Sequence, residues 1–66
     1  MKKLLMAYVE KYNSMRADLY LDEMLGVDVK YDKGKIYELN DVVYDMANIL
    51  DIELNMDIKG YIKIAE

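Results

Sequence analysis

Val27-Asp28-Val29-Lys30-Tyr31-Asp32-Lys33-Gly34-Lys35-Ile36-Tyr37-Glu38-Leu39 is the stretch whose conformation decides the fold. Its first five residues alternate apolar and charged, the period of a half-buried strand. Asp32-Lys33-Gly34 then reads as a turn, with glycine supplying a positive φ. If Tyr31 pairs with Lys35, then Val29 faces Tyr37 and Val27 faces Leu39. Those partners share one face, so the register is self-consistent. The stretch predicts a β-hairpin over 27–39, with Ile36 on the other face, either covered or at an interface.

Upstream, residues 2–25 read as one helix. Leu5, Tyr8, Tyr12, Met15 and Leu19 recur at spacings of three and four and so share a face. Met6, Val9 and Tyr20 widen that stripe. Gly26 stands where a left-handed residue ends a helix. Downstream, Asn40 is a favoured N-cap and Asp41 suits the positive end of a helix dipole. Val42, Val43, Met46, Ile49 and Leu50 give a second helix over 41–51 its apolar face.

From Ile52 to Ile64 the sequence supports two readings. Ile52, Leu54, Met56, Ile58, Ile62 and Ile64 alternate with polar or charged residues and Tyr61, as in a strand. This region forms either one bent strand or a tight hairpin turning at Asp57 to Gly60. Alternatively, Val43, Met46, Leu50 and Leu54 prolong the second helix, leaving a short final strand over 61–64. Either way the expected class is α+β: the order α-β-β-α-β, with a small antiparallel sheet packed against two helices in one compact domain over 1–66.

The 66 residues suffice for one domain. A domain this small buries only ~60% of its unfolded surface, so its stability margin is thin. Disulfides and thiolate metal sites are excluded because there is no cysteine. Oligomerisation is the remaining aid, and a homodimer is expected. Its interface candidates are Leu5, Tyr8, Tyr12, Met15, Leu19, Ile36 and Tyr44, with the first-helix stripe as the seam. Tyrosine, with an apolar ring and a polar tip, suits such half-buried places. No run approaches the ~20 apolar residues of a membrane span. Leu4 to Val9 is interrupted by Glu10 and Lys11 and falls short of a signal peptide's apolar region. A cytoplasmic protein is expected, without membrane association.

Charge is unevenly placed. Residues 18–57 hold eleven carboxylates against Lys30, Lys33 and Lys35, a net of −8 within a chain of net −4. The N-terminal Lys2, Lys3, Lys11 and Arg16 form too small a patch for direct nucleic-acid binding, which rests on clustered cations. The acidic part suits a protein partner with a basic surface. Asp18, Asp22, Glu38, Asp41, Asp45 and Asp51 are the candidate partner-binding residues. Asp41 and Asp45 lie one turn apart, as do Asp18 and Asp22. Spaced ~6 Å along a helix, such pairs approximate successive phosphates and fit a channel built for nucleic acid.

Catalytic constellations are missing. Ser14 is the single serine, and histidine and threonine are absent, so no serine-type triad can be assembled. The three glycines are isolated, which excludes a phosphate loop. Asp28 and Asp32 lack calcium-loop spacing. Neither metal nor cofactor is expected, and the chain reads as no enzyme. The leading expectation is an acidic interaction domain, such as an inhibitor that docks on a nucleic-acid-handling partner. Phage-encoded inhibitors of host defence, anti-CRISPR proteins among them, share this size and charge as a class; no motif here carries a family. The alternative is a self-associating structural or regulatory subunit.

Overall fold

The computed structural model describes residues 1–65, with every side chain except that of Tyr31. Two helices, α1 (Lys2–Met24) and α2 (Lys30–Ile49), are followed by two short strands, β1 (Leu54–Met56) and β2 (Ile62–Ile64). The class is α+β, but the order is α-α-β-β. The strands form one antiparallel pair in which Leu54 faces Ile64, Asn55 faces Lys63 and Met56 faces Ile62.

The first helix forms as its stripe predicts. Leu5, Val9, Tyr12 and Leu19 are buried on one face. Gly26 adopts φ +75° just past its end. The Gly26 amide donates to Glu23 O and the Val27 amide to Asp22 O, at 3.1 and 3.0 Å. These two bonds close the last turn and satisfy carbonyls that would otherwise lack partners.

The hairpin expected over 27–39 does not form. Residues 30–49 are one helix, which also overturns the helix start at Asn40. Val29, Ile36, Val43 and Ala47 are buried along it, at spacings of seven, seven and four. Leu39, Tyr44, Met46 and Leu50 pack beside them. That stripe runs straight through Gly34, where an added Cβ would meet nothing within 4 Å. A twenty-residue helix can bury such a stripe against α1. Val29 is the N-cap and makes no side-chain capping bond, while Oδ1 of the preceding Asp28 accepts the Lys30 amide at 3.1 Å. Asp32, expected in a turn, lies in the first helical turn, where the dipole favours a carboxylate. Ile36, expected on the hairpin's other face and either covered or at an interface, is instead a helical residue buried in the core of the chain.

The end of α2 repeats the end of α1 with a different residue. Asp51 takes the left-handed position at φ 55°. Its amide donates to Asn48 O, and the Ile52 amide donates to Ala47 O at 2.8 Å. The longer-helix reading of 52–58 is thereby excluded. Of the two extended readings, the tight hairpin forms. Asp57 Oδ1 accepts the amides of Lys59 and Tyr61 at 2.9 and 3.0 Å, and the Gly60 amide donates to Asp57 O. Gly60 has φ +90°.

The terminal hairpin is clasped onto α1 by polar side chains. The Tyr12 hydroxyl donates to Gly60 O at 2.8 Å. Asn13 makes a paired contact: its Nδ2 donates to Ile62 O and its Oδ1 accepts the Ile62 amide, both at 2.8 Å. The carboxamide thus takes the place of a neighbouring strand at that edge of β2. The Tyr20 hydroxyl donates to Lys59 O.

Candidate interaction surfaces

The six acidic candidates fall in three places. Glu38, Asp41 and Asp45 are all exposed on α2. The sequence reading split them between a strand and a helix, but they belong to one helix at spacings of three and four. That spacing aligns them along one face, with rises of ~4.5 and ~6 Å. Asp18 and Asp22 line a cleft of about 200 Å³ between the helices, with Asp32, Met15, Leu19 and Ile36. Asp51 is exposed at the C-terminal end of α2, where its charge opposes the helix dipole.

The interface candidates lie mostly inside the chain. Leu5, Tyr12, Leu19 and Ile36 are buried, and Tyr8, Met15 and Tyr44 are partly buried against them. A dimer seam on the Leu5–Leu19 stripe would have to displace α2 from the face it covers.

A constellation that sequence reading missed joins α1 to the terminal hairpin. Arg16 lies between Tyr12 and Tyr20 along α1, with its guanidinium carbon 6.0 Å from the Tyr20 ring centroid. The Tyr20 and Tyr61 rings are tilted at 54°, with centroids 6.2 Å apart. Arg16 also occupies the space a side chain at Gly60 would need: an added Cβ would stand 2.6 Å from Arg16 Nε. Burial raises the Tyr12 phenol above its ordinary pKa; the Arg16 charge acts in the opposite direction, and Tyr44, Tyr20 and Tyr37 add to the rise. The available signal was the run Tyr12, Asn13, Arg16, Tyr20, a hydrogen-bonding stripe flanking the apolar one. Its partner strand could not be identified from spacing.

Lys33 Nζ lies 3.4 Å from Glu23, linking α2 to the end of α1. Both side chains are well exposed, so this pair contributes little to stability. Among the described residues, no three His, Cys, Asp or Glu side chains are placed to hold a metal ion, and no helix is long and apolar enough to cross a membrane. No protein-family model matches the chain, and neither a curated protein nor a solved structure matches it.

Proposed function

We propose that this chain is a non-catalytic, acidic interaction domain whose exposed α2 face docks on a basic protein surface. The supporting observation is the alignment of Glu38, Asp41 and Asp45 on one exposed helix face. A rigid helix holds these charges at fixed spacing, so they act together on a complementary surface instead of as separate loop charges. Fixed complementary charge steers association and sets register more than it adds raw affinity. An inhibitor that occupies a surface built to bind phosphates is the form of this activity that the spacing fits.

The test is reversal of charge on that face, measured against the basic partner recovered from the source cells. Asp41→Lys with Asp45→Lys is expected to weaken binding by about tenfold or more, with the steepest loss in association rate. Binding of the unaltered chain is expected to fall as salt rises through the range where the screening length drops below ~10 Å. Glu10→Lys, an exposed change on α1, serves as the control for a charge reversal placed off that face. Unchanged binding after the double reversal would reject the docking face.

A further inference from the structure

The two edges of the small sheet differ. In an antiparallel pair, residues alternate between those bonded to the partner strand and those whose amide and carbonyl point away. The Ala65 amide donates to Glu53 O and the Asp57 amide to Tyr61 O. With the register Asn55 opposite Lys63, the inward-bonding residues of β1 are 53, 55 and 57. Leu54 and Met56 therefore direct their backbone groups outward. On β2 the outward groups of Ile62 are taken by Asn13, which confirms the parity independently. Among the described residues, none bonds to the outward groups of Leu54 and Met56.

We propose that this free edge of β1 receives an extended segment of a partner protein, with basic residues at alternate positions flanking apolar ones. A bare strand edge is a template for one more strand, and the backbone bonds it offers carry no sequence preference. Side chains supply the preference. Glu53, Asn55 and Asp57 are exposed on or flanking one side of β1, with Asp57 Oδ1 held by the Lys59 and Tyr61 amides so that its charge is fixed at the turn end of the strand. Leu54 and Met56 project from the other, where Met56 remains 45% exposed beside the fully exposed Ile58. An antiparallel segment reading basic-apolar-polar-apolar-basic would set its cations opposite Asp57 and Glu53. Its apolar residues would extend the Leu54 and Met56 surface. A second copy of this chain fits worse: pairing centred on Asn55 puts each Glu53 opposite the other copy's Asp57, and like charges directly opposite destabilise a sheet. This inference stands on the β1 edge and is independent of the α2 face.

The probe is the blocked peptide Lys-Val-Ser-Val-Lys, followed by nitrogen-15 NMR of the full chain. Two comparison peptides are Glu-Val-Ser-Val-Glu and the lysine peptide with both valine nitrogens methylated. The lysine peptide is expected to shift the amides of residues 54–56 and to slow exchange at Leu54 and Met56 by about threefold or more, as edge pairing protects them. Both comparison peptides are expected to leave those amides unchanged. Met56→Pro removes an outward amide that the β1–β2 ladder does not use, a place where a sheet tolerates proline. It is expected to retain the circular dichroism spectrum and lose the response. Three outcomes would overturn the proposal: an equal response to the methylated peptide, a response confined to α2, or no response. So would protection of Leu54 and Met56 that rises with protein concentration alone, since a second copy would then hold the edge.

Discussion

Tyr12 is the residue at which core and clasp meet. Its ring is 1% exposed, and its hydroxyl bonds to Gly60 O across 48 positions of sequence. Tyr12→Phe keeps the ring and leaves a buried carbonyl without its donor, which is expected to cost ~1–3 kcal/mol by urea unfolding at neutral pH. The same variant tests the titration. Because burial favours the neutral phenol, the pKa of Tyr12 is higher in the folded chain than in the unfolded chain. Its contribution is therefore complete below the unfolded value of ~10 and is lost as pH rises through the folded value. The unaltered chain should lose stability steeply above ~pH 10, and Tyr12→Phe should lose less over the same interval. Equal losses in the two proteins would mean that Tyr12 is not the group responsible. Asn13 shows the same logic without a titration: one carboxamide meets both the donor and the acceptor of Ile62. A carboxylate or an aliphatic side chain there can satisfy at most one of them.

At the scale of elements, two glycines give opposite expectations. Gly34 lies within α2 with open space around its missing side chain. Gly34→Ala is expected to stabilise the chain by ~0.5–1 kcal/mol, the difference in helix propensity. Gly60 has φ +90°, and a Cβ there meets the Arg16 guanidinium. Gly60→Ala is expected to destabilise by more than ~1 kcal/mol, from backbone strain and the displaced arginine. Had 27–39 formed a hairpin with Gly34 at positive φ, both changes would destabilise, so the sign at Gly34 distinguishes the two folds in one denaturation curve. The error in reading this stretch has a specific origin. Val27, Val29 and Tyr31 satisfy the period of a strand, and a glycine three residues after Tyr31 completes the pattern. The deciding periodicity, Val29 to Ile36 to Val43, spans fourteen residues and crosses that glycine. The element with an unambiguous stop was legible, since α1 ends at Gly26 as expected; the turn at Asp57 to Gly60 was only one of the readings that the alternation over 52–64 left open. The candidate site was legible only in part. Asp41 and Asp45 were placed on a helix, but Glu38 joined them only once the strand became α2. Asn13 and Arg16 were missed because their roles depend on which side of α1 the terminal hairpin covers, a tertiary choice that local spacing does not encode.

The whole molecule is small enough that single core residues govern its survival. It measures 39 × 19 × 16 Å, and among the described residues nine hydrophobic side chains are buried, Leu5, Tyr12, Ile36 and Val43 among them. A chain of 66 residues has a total stability of ~3–10 kcal/mol at typical values per residue. Leu5 is fully buried. Leu5→Ala removes most of its side chain and leaves a cavity, at a cost of ~3–5 kcal/mol. That cost is of the same order as the whole margin, so the variant is expected to be largely unfolded near body temperature while the parent chain remains folded. Concentration dependence tells where Leu5 exerts its effect. The face that carries it is covered by α2 of the same chain, which makes unfolding of that core unimolecular. The thermal midpoint of the unaltered chain should then stay constant over a hundredfold range of protein concentration. A core shared between two copies behaves otherwise, because mass action raises the midpoint as concentration increases. A midpoint that climbs with concentration, together with rescue of Leu5→Ala at high concentration, would place the stripe between chains and require α2 to leave it.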